Sequence, residues 1–324
     1  MTSQPLIRSR LAAAEDPNLK LAALMGPEFS RYRAAWAEAE GGRRPAAPLH
    51  LDVDVTTACN FTCPMCPAGH SGHIFPGFTR GRFLPRALYQ KALAEARDFA
   101  LPSLRLGLTG EPLLIPEIDQ WVGEARAAGV LDVSLITNGR LLSPPVSRRL
   151  IEAGLTRLMI SVDAGEPETY ARVRPGGDWA ALLENIDSFL AIRREIGSIT
   201  PLLRVSFVEM TANLTDRANF EAIFAPRADY LSFQRYQNIL GGSDTDFSPG
   251  PAPARPGFCT EPFTRLALQV DGGLFPCCSD FGRWRPLGNL QDTSLLAVWR
   301  SAGPDFKAEP CQACRQRAGF QILR

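Results

Sequence analysis

From residue 50 onwards, short apolar runs with strand character alternate with longer amphipathic runs with helical character. The strand-like runs cover residues 51–55, 104–108, 133–137, 157–162, 203–208 and 230–233. The helix-like runs cover residues 85–99, 115–128, 144–153, 179–196 and 214–224. Strands joined by helices of this length are typical of a parallel sheet with helical crossovers. The pattern therefore predicts an α/β fold with a partial (β/α)6, TIM-like barrel.

The segments on either side of this alternation differ in composition. Residues 1–47 show the apolar spacing of two short helices, and we expect an N-terminal helical extension that packs on the barrel of residues 48–240. Residues 241–257 contain eight glycines and prolines, which cannot continue a helix or a central strand, so this stretch predicts a linker. Residues 258–324 then form a small C-terminal domain.

The overall charge and hydropathy exclude several classes of partner. Lysine and arginine number 35 against 34 aspartates and glutamates, a formal charge of +1, so no nucleic acid or anionic membrane is expected as a partner. The chain lacks a secretory signal, and no stretch approaches the roughly 18 apolar residues of a membrane helix. We expect a cytoplasmic protein.

Eight cysteines fall in two groups that are far apart in the sequence. The first group is Cys59, Cys63 and Cys66, and the second is Cys259, Cys277, Cys278, Cys311 and Cys314. A disulfide framework is the alternative, but in a chain without an export signal this distribution favours thiolate ligation of metal.

The first cysteine group lies directly after the first strand-like run, where the chemistry of a barrel of this kind is located. A 4Fe–4S cluster normally takes four thiolates, so three closely spaced cysteines leave one iron open for a reactive ligand. A zinc site of Cys63, Cys66, His70 and His73 is an alternative. Only three residues separate Cys66 from His70, however, which is much shorter than the usual zinc-finger loop.

The C-x3-C-x2-C loop resembles that of the radical S-adenosylmethionine (SAM) enzymes. The segment Thr109-Gly110-Glu111-Pro112 is similar to the family's Gly-Gly-Glu-Pro motif, with a threonine in place of the first glycine. Thr137-Asn138-Gly139 and Ser161-Val162-Asp163 end the third and fourth strand-like runs in similar fashion. The resemblance implies SAM contacts from Gly110, Glu111, Asn138, Ser161 and Asp163.

The polar groups at these strand ends suit such a ligand on physical grounds as well. An amino acid that chelates an open iron needs a hydrogen-bonding shell for its ammonium, and a nucleoside needs polar groups for its ribose. Arg174 and Arg204 are candidates to balance a carboxylate. The resemblance implies reductive cleavage of SAM to methionine and a 5'-deoxyadenosyl radical, with electrons from an external donor such as flavodoxin or ferredoxin.

The second cysteine group resembles the abbreviated auxiliary-cluster domain, or twitch domain, which is related to the longer SPASM domain. We expect a β-hairpin of residues 266–270 and 274–278 here. The resemblance implies a second 4Fe–4S cluster held by Cys259, Cys277, Cys311 and Cys314, although a structural zinc is open to the same thiolates. Neighbouring side chains on an extended segment point to opposite faces, so Cys278 is left as a buried thiol or a hydrogen-atom donor.

Several reactions fit this arrangement. The resemblance covers enzymes of sugars and aminocyclitols, and we favour dehydrogenation of such a substrate with the auxiliary cluster as electron acceptor. The alternatives are redox-neutral epimerisation with Cys278 as hydrogen donor, peptide maturation, for which residues 1–47 are too short to be a separate leader-binding domain, and a non-catalytic zinc protein. The residues expected to face the substrate are Arg80, Arg82, Gln234, Arg235, Tyr236, Gln237 and Asn238.

Overall fold

The computed structural model describes residues 16–66, 78–236, 246–250, 259–280, 283 and 285–303, together with the backbone of residues 9–12. His70, His73, Gln237, Asn238, Cys311 and Cys314 therefore lie outside the described residues, as does most of the predicted linker. None of the described helices is long and apolar enough to cross a membrane.

A parallel sheet forms the centre of the fold. Its six strands are β2 (His50–Val53), β3 (Ser103–Leu106), β4 (Asp132–Thr137), β5 (Arg157–Ser161), β6 (Leu202–Glu209) and β7 (Tyr230–Arg235). Each pairs in parallel with the next strand along the chain. The predicted α/β class and the six strand positions are confirmed.

Helices connect the neighbouring parallel strands. They are α3 (Arg86–Asp98), α4 (Ile118–Ala127), α5 (Pro144–Glu152), α6 (Pro167–Val173), α7 (Trp179–Ile196) and α8 (Arg217–Phe224). The longest, α7, begins where the Asp178 carboxylate accepts a hydrogen bond from the Ala181 amide, and it ends at Gly197 with a φ of 72°. The seven-residue α6 is the one crossover helix that the sequence pattern did not predict.

The strands separate an apolar face from a charged one. Leu104, Val133 and Val205 are fully buried in the core that the sheet shares with the helices. Side chains alternate along a strand, so Arg105 and Arg204 lie on the opposite face. The charge of Arg105 on β3 acts on Arg204 on β6, although β4 and β5 lie between them in the sheet. The sheet is therefore curled, with the charged residues on its concave face.

Two N-terminal helices pack at the amino end of the sheet. Helices α1 (Pro17–Met25) and α2 (Pro27–Glu40) contribute Leu21, Phe29 and Tyr32 to a second apolar cluster. The sheet and the C-terminal region contribute Leu49, Leu202, Tyr230 and Phe263 to the same cluster. The concave face is thus covered at this end, and its carboxyl end carries the candidate site.

Both edges of the parallel sheet are extended in ways that the sequence pattern did not predict. Strand β1 (Ser9–Ala12) pairs antiparallel with β7. At the other edge, the short helix α9 (Glu261–Thr264) leads into β8 (Arg265–Leu268), which pairs in parallel with β2. The predicted hairpin thus exists but continues the barrel sheet, because β8 covers the edge of β2 that would otherwise be unpaired.

The remainder of the C-terminal region is short. Strand β9 (Gly273–Phe275) completes the hairpin with β8, and β10 (Gly288–Asn289) pairs with β9. Helix α10 (Leu295–Ser301) follows, and its Trp299 side chain is buried and donates a hydrogen bond to the Pro45 carbonyl oxygen at 2.9 Å. The region is therefore attached to the barrel by packing as well as by strand pairing.

Candidate active site

The loop after β2 brings three cysteines to the carboxyl end of the sheet. Cys63 is buried, whereas Cys59 and Cys66 are partly exposed, and all three line one cavity. The Phe61 amide donates to the Cys59 sulfur at 3.4 Å, and the Cys66 amide donates to the Cys63 carbonyl oxygen at 3.1 Å. These contacts hold the loop at the cavity wall, and the role of the three thiols as iron ligands stays a prediction.

Arg80 fastens this loop from outside. Its guanidinium donates to the carbonyl oxygens of Cys59 and Phe61, each at 2.8 Å. The Thr56 hydroxyl donates to the Arg82 carbonyl oxygen at 2.8 Å, which ties the return segment to the end of β2. We expected Arg80 to face the substrate. The structure gives it a different role, because its donors are already directed at the backbone of the cysteine loop.

The cavity beside the three thiols has about 600 Å³ of space, part of it open to solvent. Its walls come from the ends of β3, β4 and β5 and from the segment after α6. Besides the cysteines, the cavity is lined by Phe61, Leu108, Thr109, Gly110, Glu111, Ile136, Thr137, Asn138, Ser161 and Arg174. Five of the residues expected to hold SAM therefore meet around the cysteine loop: Gly110, Glu111, Asn138, Ser161 and Arg174.

Gly110 allows the segment after β3 to lie against the cysteine loop. A Cβ atom at this position would come within 2.3 Å of the carbonyl oxygens of both Thr56 and Ala58. The next amide, that of Glu111, donates to the Ala58 carbonyl oxygen at 2.8 Å. Only glycine fits at this contact, which gives a steric reason for the glycine of the Thr-Gly-Glu-Pro segment.

The Glu111 carboxylate is fully occupied by its own protein. It accepts hydrogen bonds from the Thr137 hydroxyl at 2.7 Å, the Asn138 amide at 2.7 Å and the Leu113 amide at 3.0 Å. Burial raises the pKa of Glu111, and these donors oppose that shift. The Glu111 side chain therefore joins the segments after β3 and β4. The ammonium of a bound SAM would be contacted by the backbone around Glu111.

Asn138 links the end of β4 to the cysteine loop. Its side-chain amide donates to Asn60 Oδ1 at 2.8 Å and lies 4.0 Å from the Cys59 sulfur. Its own Oδ1 accepts from the Arg140 amide at 3.0 Å. Ser161 ends β5 on the opposite wall of the cavity. Asn60 was not predicted, because a polar residue between cysteines has no distinctive sequence signal.

Asp163 and Arg174 form an ion pair beside Cys63. The Asp163 carboxylate bonds to Arg174 Nη2 and accepts from the Val208 amide at 2.7 Å, with its backbone held at a φ of 59°. Arg174 Nη1 lies 3.8 Å from the Cys63 sulfur, and its Nε is buried without a partner. Burial alone would lower the pKa of Arg174, but the charges of Asp163 and Cys63 and the hydrogen bond to Asp163 together raise it above its ordinary value.

The ion pair changes the expected role of Asp163. We expected its carboxylate to meet a ribose, but it is engaged by Arg174 and Val208, and Asp163 is absent from the cavity walls. Arg174, in contrast, lines the cavity. Arg204, the other candidate to balance a carboxylate, lies nearer the amino end of β6 and does not line the cavity.

The donor set of the cavity fits an iron–sulfur cluster with a bound amino-acid nucleoside. Three thiols on one tight loop supply soft ligands for iron. Nε of Arg174 is buried without a partner and can donate a hydrogen bond to a carboxylate. Gly110 has no side chain, so the backbone around it forms part of the cavity wall. Asn138 and Ser161 add polar groups for a ribose. The residues present therefore fit the cofactor.

The C-terminal cysteines differ from the expected geometry in one respect. Cys277 and Cys278 follow β9 in a turn, and their sulfurs lie within 4.8 Å of each other and of a Glu261 carboxylate oxygen. The alternation of side chains in an extended strand does not apply to a turn, so both sulfurs face the same place. The ligand role of Cys277, with Cys259, Cys311 and Cys314, stays a prediction.

A second, smaller cavity lies between the barrel and the C-terminal hairpin. It encloses about 320 Å³, part of it open to solvent, and Thr109 lines both cavities. The Asp54 carboxyl in its wall is 2% exposed and accepts from the Thr109 amide at 3.0 Å and the Thr109 hydroxyl at 2.8 Å. Burial raises the pKa of Asp54 to about 7. The threonine that replaces the motif's first glycine therefore supports a buried acid.

A loop of three thiols at the carboxyl end of a curled parallel sheet defines an enzyme class that cleaves a bound sulfonium nucleoside. Comparison with known proteins agrees. Residues 53–215 match the radical SAM superfamily, and residues 259–316 match the SPASM iron–sulfur cluster-binding domain. The chain belongs to the radical SAM superfamily. Its cofactors are SAM, the SAM-binding 4Fe–4S cluster and an auxiliary cluster.

Individual relatives agree with this assignment. The chain is 30% identical over 269 residues to a GTP 3',8-cyclase of Pelotomaculum thermopropionicum, covering 71% of this chain and 81% of the relative. It is 27% identical over 167 residues to a probable GTP 3',8-cyclase of Methanocaldococcus jannaschii, about half of either protein. Streptococcus suis SuiB, solved with the precursor peptide SuiA, has the same fold, with a TM-score of 0.64, 14% identity, and coverage of 90% of this chain and 74% of SuiB.

Proposed function

We propose that this enzyme abstracts a hydrogen atom from a carbon of a hydroxylated small molecule, a sugar or an aminocyclitol, and completes a two-electron dehydrogenation. The observation that supports this most directly is the cavity in which Cys59, Cys63 and Cys66 meet Ser161 and Arg174. When bound, the cofactors supply a 5'-deoxyadenosyl radical for the abstraction and an auxiliary cluster that takes up the remaining electron. The polar concave face suits a hydroxylated substrate better than an apolar one.

The residues of the chain have distinct tasks in this proposal. Cys59, Cys63 and Cys66 would hold the SAM-binding cluster, and the buried Nε of Arg174 would receive the carboxylate of SAM. Cys259, Cys277, Cys311 and Cys314 would hold the auxiliary cluster. Tight contacts at Gly110 and the bonds of Glu111 would keep the nucleoside in one orientation, which is the main contribution of a protein to such chemistry.

Conversion of an alcohol to a ketone also releases a proton. We assign its uptake to the Asp54 carboxylate, which lines the cavity next to Thr109 and has a pKa of about 7, in the range suited to a general base. Together with the hydrogen atom and the electron that the bound cofactors would accept, the proton taken up by Asp54 accounts for the two hydrogens that the alcohol loses. The carbon–oxygen double bond forms as the O–H bond breaks.

Epimerisation is the second candidate, and the position of Cys278 favours it. This thiol lies 3.7 Å from Glu261 Oε2 and within hydrogen-bonding reach of Arg105, which lies on the concave face. A thiol there could return a hydrogen atom to a substrate radical from the auxiliary side of the barrel, and an electron from the external donor with a proton from water would then restore the thiol. Only the fate of the radical then differs from dehydrogenation.

The names of the relatives add a nucleotide to the substrates that need testing. One of them is named a GTP 3',8-cyclase and another a probable GTP 3',8-cyclase, so GTP is a suitable compound for a first assay. SuiB was solved with a bound precursor peptide, but the argument for a peptide substrate here has only a shared fold at 14% identity behind it. The dehydrogenase proposal requires that GTP be returned unchanged.

The radical step is tested with anaerobic, reconstituted protein. We expect about eight irons per chain, the content of two 4Fe–4S clusters, and formation of 5'-deoxyadenosine on reduction in the presence of SAM. Cys59→Ala should abolish deoxyadenosine and retain about four irons. Cys278→Ala serves as the matched thiol control and should still form deoxyadenosine. An intact protein with only four irons would contradict the proposal of two clusters.

The fate of the radical is tested on the product. Dehydrogenation lowers the product mass by two hydrogens, and Asp54→Asn should slow it most above pH 7. Epimerisation leaves the mass unchanged in H2O and introduces one solvent deuterium in D2O, a label that Cys278→Ala should remove. Recovery of the deuterated isomer would establish epimerisation in place of dehydrogenation.

A further inference from the structure

Arg204 carries a charge on the concave face that no acid balances. Its neighbours in β6, Leu203 and Val205, are fully buried towards the helices, so Arg204 points to the opposite face. The residue is partly buried, and its Nε is buried without a partner. Among the residues that the structure describes, its guanidinium has no hydrogen bond and no ion pair.

The other arginines of the concave face are paired. Arg105 and Arg265 share the Asp52 carboxylate at 2.6 Å and 3.2 Å, and Arg157 holds the Asp132 carboxylate at 3.0 Å. The acids near Arg204 are therefore already used. Burial lowers the pKa of Arg204, and the facing charges of Arg105 and Arg157 lower it further, partly offset by Tyr230. The concave face thus has an uncompensated positive charge.

Within the described part of the chain, two other buried donors on this face lack an acceptor. One is Nε of Arg105, and the other is Oγ of Ser232, which is fully buried. Ser232 lies on β7 two residues beyond Tyr230, the register partner of Arg204. Buried polar groups are nearly always hydrogen-bonded in folded proteins. Three donors without an acceptor, the Nε atoms of Arg204 and Arg105 and the Oγ of Ser232, therefore point to an acceptor that comes from outside the chain. An oxyanion provides both the acceptors and the charge.

We propose that the concave face binds an anionic group of the substrate, a phosphate or a carboxylate, between Arg204 and Arg105, with Ser232 as a further donor. The inference rests on the proposed function, because it names a charged group on the substrate of that same reaction. Arg105 also lies within hydrogen-bonding reach of the Cys278 sulfur, so an anion held there brings the adjoining part of the substrate towards the C-terminal hairpin.

The fold retains Arg204 at a cost in stability. A buried cation without a partner is unfavourable, since burial removes its hydration and nothing replaces it. Binding of the substrate anion would offset this cost and so contribute to affinity. Arg204 is therefore a residue whose removal should stabilise the ligand-free enzyme while it weakens binding.

Anion binding is measured by calorimetry on the anaerobic enzyme with both clusters, at constant ionic strength. The probes are inorganic phosphate and acetate, which distinguish a phosphate from a carboxylate as the group recognised. We expect one equivalent of the preferred anion to bind, and Arg204→Gln to weaken it at least tenfold. Arg217→Gln, an arginine of α8 paired with Glu209, is the matched control and should bind as the wild type does. Absence of binding by both anions, or equal affinity in Arg204→Gln, would overturn the proposal.

A second measurement is independent of any ligand. Arg204→Met retains the aliphatic stem and removes the charge, so the thermal midpoint of the ligand-free enzyme should rise by a few degrees. A structural role for Arg204 predicts a fall instead, and a fall would overturn the inference. Deoxyadenosine formation is assayed in the same preparations. If deoxyadenosine still forms but neither anion binds, the anion site is refuted and the proposed function is not. If the wild type forms no deoxyadenosine, the proposed function is refuted as well.

Discussion

Gly110→Ala offers a direct test of how the site is assembled. The added Cβ would lie 2.3 Å from two carbonyl oxygens, whereas real Cβ contacts are essentially never shorter than 3.0 Å. The segment after β3 and the cysteine loop therefore have to separate by about 0.7 Å. Both obstructing atoms belong to the backbone, those of Thr56 and Ala58, so no change of rotamer relieves the contact.

The size of the effect follows from this displacement. Overpacking of this kind costs about 1–3 kcal/mol, and a misplacement of about 1 Å at a reacting centre lowers a rate by about 10²-fold. We expect Gly110→Ala to lower the initial rate of deoxyadenosine formation by about two orders of magnitude. The assay is chromatography of anaerobic reactions started with dithionite, with iron content measured on the same samples.

Gly123→Ala is the matched control for this substitution. Gly123 lies in α4, and no atom lies within 4 Å of a Cβ placed there. Alanine is favoured over glycine in a helix by about 1 kcal/mol, so this variant should keep its rate and become slightly more stable. A Gly110→Ala enzyme with full iron content and a rate within about twofold of the wild type, far from the expected 10²-fold loss, would refute the steric argument.

Two further predictions concern residues around the site. Burial raises the pKa of Asp54 to about 7. The folded protein therefore holds one more proton than the unfolded chain between about pH 4 and pH 7. In this window the free energy of unfolding falls by about 1.4 kcal/mol for each unit by which the pH rises. Asp54→Asn should abolish this dependence and be the more stable protein at pH 8, and parallel curves of thermal midpoint against pH would refute the assignment. Arg80→Ala removes two bonds to the cysteine loop and should speed iron loss to a chelator about tenfold, since bonds from a charged group contribute about 1.5–3 kcal/mol. Arg97→Ala, which removes a single 3.5 Å contact on α3, is its control, and equal rates in the two variants would contradict the fastening role.

Local patterns were sufficient to predict the framework. Runs such as residues 133–137 are apolar and short, and the amphipathic runs between them have helical spacing, so all six parallel strands and five crossover helices were identified. The cysteine spacing and the Thr-Gly-Glu-Pro segment likewise identified the family, because both depend on residues that are close in sequence. Helix α6 was missed because seven residues are too few for a clear period.

Contacts between distant residues were beyond the reach of sequence patterns. Asp163 was assigned to a bound ribose, because nothing in its surroundings shows that Arg174 folds back onto it. Arg80 was assigned to the substrate for the same reason. The pairing of β8 with β2 and of β1 with β7 joins segments more than two hundred residues apart, and such pairing depends on the edges of a completed sheet.

The placement of β8 has a consequence for engineering. Because β8 hydrogen-bonds along β2, the strand that precedes the cysteine loop, the region from residue 259 onwards is not a separable module that can be grafted onto another barrel. Truncation of the chain before residue 259 would leave the edge of β2 unpaired and disturb the cysteine loop that follows this strand. Oxidative damage at one cluster site should accordingly destabilise the other. The barrel and the C-terminal region should unfold together as one cooperative unit.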